Sequence, residues 1–281
     1  MIQDSSRPNS KCYMWVHCSG EFYRERPIVI YEYQKGRDHQ KPLSFYKDYK
    51  GILVTDGLQQ YHLVDKKLPR VTNANCWAHA GRDFADAVKA MDKNDPSAVR
   101  NSVAYVALQK IGEFYNADTE LKGLSPEERL QKRQETIQRL VEDFFAWVKE
   151  QISQCTVPPK SKTGQGLQYL IHQETYLKVF LTDGDVPIDN SASERSIRTF
   201  CIGKKNWMFH NTANGASASA MVYSISETAK LNDLRPYYYF RYILTELPKR
   251  SDENGNIDPS KLDDLMPWSS ALPDECRKLR C

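Results

Sequence analysis

The sequence predicts an α/β protein, on three observations. Short β-branched and aromatic runs fill the first third of the chain, apolar residues recur at helical spacing from about residue 97 to about residue 182, and a compact strand-like run at 51–57, GILVTDG, ends on an acid. KCYMWVHC at 11–18 and RPIVIYEY at 26–33, joined by a polar link, predict an antiparallel hairpin. A short helix is expected over PLSFYKDY, after which GILVTDG delivers Asp56 to the edge of a sheet. RVTNANCW at 70–77 predicts a further strand, and AHAGRDFADAVKAM then takes up helical spacing.

In the middle of the chain, SPEERLQKRQETIQRLVEDFFAWVKEQ opens with helix-start chemistry: Ser125 as N-cap, Pro126 at the first helical position and Glu128 completing a capping box. Leu130, Ile137, Leu140, Val141, Phe144 and Val148 then give it one apolar face. A second helix, GLQYLIHQETYLKVFL, follows a Pro-Pro-Lys linker at 158–160. DNSASERSIR opens another helix, followed by a basic loop, a small-residue helix (ASASAMVYSISETAKL) and an aromatic helix after Pro236. The tail from 251, with Pro259, Pro267 and Pro273, reads as irregular, and there is no internal repeat.

With 281 residues, 40% of them hydrophobic, the chain can bury a substantial core. No window approaches the run of about 18 apolar residues that a membrane span needs, and the N-terminal segment lacks the apolar core of a secretory signal, so a cytoplasmic location is expected. Seven cysteines without regular spacing argue for reduced thiols. A net charge of +3 does not by itself announce a nucleic-acid binder. Local charge says more: Arg195, Arg198, Lys204 and Lys205 occur with no acid among them and with Trp207, Phe209 and His210 just beyond, a pattern that suits phosphates and stacked bases. A solvated helix face gives the same string.

Two carboxylates stand out, each with an ordinary alternative. Asp56 sits in an Asp-Gly turn after a strand, and Glu194 fits a capping box with Ser191. Brought together, two such acids suit a magnesium-dependent phosphoryl-transfer site. Cys76 and His79 form half of a zinc-site spacing; Cys12, His17 and Cys18 could complete it only awkwardly, because Cys12 and His17 point to opposite faces of a strand. A buried hydrogen-bonded Cys/His pair at a strand-to-helix junction is the plainer expectation.

Several blocks carry a resemblance. YMWV (13–16), IVIYEY (28–33), GILVTDGLQQYH (51–62), CWAHAGRDF (76–84), SPEERLQKRQE (125–135), IDNSASERSIRTFCIGKKNWMF (188–209), GASASAMVYSISETAK (215–230) and MPWSSALPDECR (266–277) resemble, in order, the bacterial transposases of insertion-sequence family sixty-six. The resemblance implies a ribonuclease-H-like mixed sheet interrupted by an all-helical insertion. Residues 1–95 then form the first part of the core, 96–183 the insertion, 184–250 the second part with the glutamate helix, and 251–281 a tail. It also implies a two-metal Asp-Asp-Glu site using Mg2+ or Mn2+, DNA as partner (element ends and target), a homo-oligomer on DNA and no membrane partner.

Asp56 matches the second acid and Glu194 the glutamate, so both are expected as catalytic metal ligands. Arg195, Arg198, Lys204 and Lys205 are expected at DNA, with Arg198 on the helical face of Glu194, and Cys76 and His79 match a structural Cys-x-x-His feature. The family's first aspartate belongs on a strand upstream of YMWV, and no segment here matches it; Asp4 is the only acid in that position and lies in a polar run. The first core strand is therefore expected to be missing, leaving a neighbouring edge unpaired, and strand transfer by this chain alone is expected to be slight. The alternative is a non-catalytic DNA-binding or transposase-associating protein that modulates an intact element.

Overall fold

In chain order the strands are β1 (Tyr13–Cys18), β2 (Val29–Gln34), β3 (Gly51–Thr55) and β4 (Val71–Asn75). The first helices are α1 (Gln40–Phe45), α2 (Gln59–Lys67), α3 (Trp77–Ala80), α4 (Arg82–Ala90) and α5 (Pro96–Asn101). Then come α6 (Val103–Glu120), α7 (Pro126–Lys132), α8 (Gln138–Ser153) and α9 (Lys162–Leu177), and finally α10 (Ser191–Trp207), α11 (Ala213–Leu231) and α12 (Pro236–Glu246). The computed structural model describes residues 12–36, 40–92, 94–208 and 210–278; Asp4 lies outside them. The chain divides into two compact units, Met1–Arg37 with Ser191–Cys281, and Asp38–Asn190. The class is α/β, but the described strands form two separate two-stranded sheets rather than one mixed sheet.

In the unit that joins the two ends of the chain, β1 and β2 form the expected hairpin, antiparallel with Val16 opposite Tyr31. One reason the sheet stops at β2 is that α11 occupies its outer edge. The Tyr31 N–H donates to Ser224 Oγ at 2.8 Å, the Val29 N–H donates to Thr228 Oγ1 at 3.1 Å, and the Thr228 hydroxyl donates to the Val29 carbonyl at 3.0 Å. Ser224 and Thr228 are four residues apart, hence on one helix face, and satisfy backbone groups that an edge strand would otherwise present to a pairing partner. The buried small residues Ala220 and Ala216 lie one and two turns before Ser224 on the same helix. β1 has no second partner strand among the described residues.

Val29 and Tyr31 pack with Phe200 of α10 and Ala220 of α11, and Met14, Val16 and Ile197 cover the same cluster. A second cluster joins Ala229, Leu234, Tyr239 and Ile243 to Leu265 and Leu272, and the Tyr239 hydroxyl donates to the Leu265 carbonyl at 2.8 Å. The tail expected to be irregular is thus pinned by two buried leucines.

In the Asp38–Asn190 unit, β3 and β4 are parallel, with Leu53 opposite Asn73. Val64 of α2 packs on one face with Val71 and Leu53, while Ala74, Ile52 and Val54 pack against the helices. The helical core centres on Trp77, which is fully buried, has the Phe114, Phe144 and Phe145 rings at 5.1, 5.9 and 5.9 Å, and donates its indole N–H to the Leu177 carbonyl at 2.8 Å. Burying a large apolar side chain contributes about 1.5–3 kcal/mol each, so this cluster is the main stabiliser of the unit.

The capping box forms as expected between Ser125 and Glu128. The apolar face runs as the periodicity predicts at Ile137, Val141, Phe144 and Val148, all fully or almost fully buried, and departs from it only where Leu130 and Leu140 are half-buried. A π-turn at Arg133–Ile137 lies between α7 and α8, and the buried positions that lead through it are Arg129, Arg133, Ile137 and Val141. Every fourth residue is buried across three turns, more than the 3.6 per turn of an α-helix, and the π-turn supplies the additional residue. No helix among the described residues is long and apolar enough to cross a membrane.

Candidate functional site

The sequence singles out the end of β3, and local chemistry shapes what is found there. Asp56 follows the last residue of the strand, is exposed, and accepts the Leu58 N–H on Oδ1 at 3.1 Å, which closes a turn and leaves its other oxygen outward. Gly57 has φ +80°, and a Cβ there would lie 2.3 Å from the Tyr169 hydroxyl, so the position requires glycine on both counts.

Beneath this turn lies a polar network. The Thr55 hydroxyl donates to Asn73 Oδ1 at 3.0 Å and accepts the Gly57 N–H at 3.2 Å; Asn73 Nδ2 donates to Asn75 Oδ1 at 2.9 Å, and Asn75 Nδ2 donates to Gln173 Oε1 at 2.9 Å. His62 Nε2 stands 3.4 Å from the Asn75 amide, and its ring stacks on Tyr176 at 4.3 Å. Burial lowers the His62 pKa, so its ring is neutral at pH 7. These bonds tie the C-terminal ends of both parallel strands to α2 and α9 and fix the direction in which Asp56 leaves the sheet.

Cys76 is fully buried where β4 gives way to α3, and its backbone N–H donates to the Thr55 carbonyl at 3.0 Å. Burial pushes its thiol up to about 11, so it is protonated at neutral pH. Among the described residues no three His, Cys, Asp or Glu side chains gather as a metal-binding group.

Tyr169, on α9, has a buried hydroxyl with no hydrogen-bond partner among the described residues. Burial, then the nearby Cys76 and the charge of Asp56, push it up to about 12, while Arg82 pulls the other way. Arg82 opens α4, is exposed, and makes no ion pair among the described residues. The sequence reading missed His62, Arg82, Asn73, Asn75, Tyr169 and Gln173. The Asn-x-Asn spacing in β4 is the one signal that pointed there, since it puts two amides on one face of a strand otherwise built for a core.

In the other unit, Glu194 lies in the exposed first turn of α10. Arg198, Cys201 and Lys205 follow it on one exposed stripe at helical spacing, and Lys204 is exposed beside them. Arg195 Nη2 lies 3.5 Å from Glu21 Oε1, an exposed pair. The opposite face of α10 is anchored: Phe200 is buried, the Tyr31 hydroxyl donates to the Ser196 carbonyl at 2.7 Å, and Ser193 Oγ meets Cys18 Sγ at 3.1 Å. Trp207 packs on Phe200 and His210 rather than standing free for a base.

Comparison with known proteins completes the description. The family model described as "Transposase IS66 family" matches residues 1–218, and "IS66 C-terminal element" matches residues 224–268. Among curated proteins, the uncharacterized protein y4hP of Sinorhizobium fredii (strain NBRC 101917 / NGR234) is 28% identical over 249 residues, covering 86% of this chain and 44% of that protein. Its fellow y4qI is 26% identical over 277 residues, covering 95% of this chain and 48% of its own length, and y4jD is 26% identical over 251 residues, covering 86% and 46%. The chain spans about half the length of the curated relatives it matches. No solved structure matches it.

Proposed function

We propose, because this chain belongs to the IS66 transposase family, that it carries part of a DDE-type DNA-transposition site in which Asp56 and Glu194 serve metal-dependent strand cleavage and joining. The observation that carries this reading is the match over residues 1–218, a span that includes both acids. The fold reading that goes with it is a ribonuclease-H-like core: a hairpin, then a parallel pair whose first strand ends on an acid, then a helix with a glutamate in its first turn. Under this reading the open edge of β1 takes a further strand.

The donors fit a hard divalent cation. Asp56 is exposed with one oxygen uncommitted, and Mg2+ is commonly held by one or two carboxylates plus water and substrate phosphates. Bound there, Mg2+ or Mn2+ would lower the pKa of water and stabilise a leaving oxygen. The chain's own residues do the positioning: the Thr55, Asn73, Asn75 and Gln173 bonds hold the Asp56 turn, and Arg198, Lys204 and Lys205, with Arg195, offer exposed cations to a DNA backbone. Cys76, buried and protonated with His79 at the same junction, holds the start of α3 in place. We further propose action on DNA within the cytoplasm, at the nucleoid, by more than one copy.

A second reading, a DNA-binding or transposase-associating protein without catalysis, is favoured by the absence of a three-carboxylate group among the described residues. One experiment separates the two: the purified chain is incubated with duplex DNA and Mg2+ or Mn2+. Weak metal-dependent nicking that Asp56→Asn and Glu194→Gln each remove supports catalysis; salt-sensitive binding untouched by either substitution, with no nicking, supports the second reading.

A further inference from the structure

Helix α2 runs into β4 through a tight turn, in which the Leu68 N–H donates to the Val64 carbonyl at 2.8 Å and the Val71 N–H to the Leu68 carbonyl at 2.9 Å. The Gly51 N–H donates to the Arg70 carbonyl at 3.0 Å, so the residues that lead into β3 and β4 lie side by side. Lys50, Lys66, Lys67 and Arg70 therefore gather at one end of the parallel pair, and all four are exposed. Lys47 joins them, because the Tyr49 N–H donates to the Tyr46 carbonyl at 3.0 Å and turns the chain just before Lys50. Beneath them Tyr46, Val64 and Val71 are buried together, which anchors the backbone that carries the cations.

The charge of this end is one-sided. Among the described residues Lys50, Lys66, Lys67 and Arg70 make no ion pair, and the one exposed acid beside them is Asp48, 3.7 Å from Lys47. Asp65 is half-buried and turned inward, where its Oδ1 accepts the Asn73 N–H at 3.3 Å. Five cations thus face one exposed acid here, while the whole chain carries a net charge of only +3. The C-terminal end of α2 accounts for Lys66 and Lys67 through its dipole, but Lys50 and Arg70 lie outside any helix. Tyr49, 41% exposed, stands among these cations with its hydroxyl spent on the Ile52 carbonyl at 3.1 Å, so what it offers outward is its ring. Unpaired cations around an exposed ring suit the sugar and phosphate surface of a nucleic acid.

We propose that Lys47, Lys50, Lys66, Lys67 and Arg70 form a docking surface for duplex DNA, on which the cations meet backbone phosphates without reading sequence and without a divalent ion. The inference rests on the reading of this chain as one that acts on DNA. Its contact is separate from the acid of that reading, since β3 runs from Gly51 to Thr55 and about 15 Å of strand lies between this end and Asp56.

The test uses the 281-residue chain, a short mixed-sequence duplex as probe and EDTA in place of any divalent ion, with affinity read by fluorescence anisotropy across a salt series. Combining Lys50→Gln, Lys66→Gln, Lys67→Gln and Arg70→Gln is expected to weaken binding about tenfold or more and to lower the slope of log affinity against log salt by about one for each cation removed. A matched control combines Lys89→Gln, Lys122→Gln, Arg139→Gln and Lys160→Gln, exposed cations elsewhere on the same unit. It removes the same charge and is expected to change affinity less than about threefold. Lysine acetylation of the unaltered chain needs no variant: duplex is expected to protect Lys50, Lys66 and Lys67 and to leave Lys122 and Lys160 labelled.

Equal losses in the two combined variants, no protection of Lys50, Lys66 and Lys67, or no metal-free DNA binding by the unaltered chain overturns the proposal. So does protection of these lysines by phosphatidylserine vesicles but not by duplex. The underlying catalytic reading fails separately. If the patch variant loses binding and the unaltered chain shows no metal-dependent nicking, the docking surface stands and the role of Asp56 and Glu194 falls. If Asp56→Asn removes nicking while the patch variant binds like the unaltered chain, the reverse holds.

Discussion

Two polar regions of the Asp38–Asn190 unit make opposite use of burial. Around α7, Arg129 and Arg133 are as buried as the aromatic core, and almost every donor they carry is used. Arg133 Nε donates to Asp118 Oδ1 at 2.7 Å and its Nη1 serves the carbonyls of Phe180, Asp183 and Val186, with only Nη2 left over. Arg129 reaches the carbonyls of Leu121, Lys122, Leu124 and Gly184. At the end of β3, by contrast, the network stops short: Asp56 faces solvent, and among the described residues the buried Tyr169 hydroxyl and Asn190 Oδ1 find no hydrogen-bond partner and Arg82 no counter-ion. The first region spends its polar groups on closing loops. The second leaves donors and acceptors over, as a surface meant for something outside the chain does.

The largest effect should come from the satisfied region. Arg133→Met strands the Asp118 carboxylate in a site where it is 2% exposed, and a loss of about 3–5 kcal/mol in urea unfolding is expected; combining it with Asp118→Leu should return most of that loss. A cost under about 1 kcal/mol would erase the distinction between the regions.

At the unsatisfied region, Gly57→Ala meets both the positive φ and the Tyr169 hydroxyl, and about 1–3 kcal/mol should be lost. Adding Tyr169→Phe removes the atom in the way and should recover part of it, whereas independent, additive losses would show that the hydroxyl does not crowd the turn.

A smaller effect is expected in alkali. Tyr169, held up to about 12 when folded, ionises at a lower pH when unfolded, so its contribution is complete below about pH 10 and is lost as pH rises toward 12. Tyr169→Phe should flatten stability over that window, and an unchanged slope would place the phenol in solvent. Least of all, alkylation at neutral pH should label the exposed Cys155 and Cys201 and spare Cys76, checked by peptide mass mapping; rapid labelling of Cys76 would mean that its junction opens.

How far the sequence told these regions apart is visible residue by residue. The hairpin, the existence of the strands at Gly51–Thr55 and Val71–Asn75, the capping box at Ser125 and the strand-end position of Asp56 were legible, because alternation, turn chemistry and capping are local; the parallel pairing of those two strands was not. Arg129 and Arg133 were not: a periodicity reading assigns charges to the solvent face, whereas both are buried here, one just before the π-turn and one at its start. Ser224 and Thr228 read as part of a small-residue helix, since nothing local marks a hydroxyl that will cap a strand many residues away. Tyr169 and Gln173 lie in a segment whose spacing predicts only a helix, and their meeting with the Asp56 turn depends on packing between segments more than a hundred residues apart.

The central claim is that Asp56 and Glu194 are the carboxylates of metal-dependent DNA chemistry, and oxidative metal mapping reaches it without depending on turnover. Fe2+ replaces Mg2+ in the purified chain, ascorbate and peroxide are added, and the backbone cuts are located by mass spectrometry. The account predicts cuts next to Asp56 and next to Glu194, suppressed at the first by Asp56→Asn and at the second by Glu194→Gln. Cuts that fall elsewhere, or that persist unchanged in both variants, would contradict it.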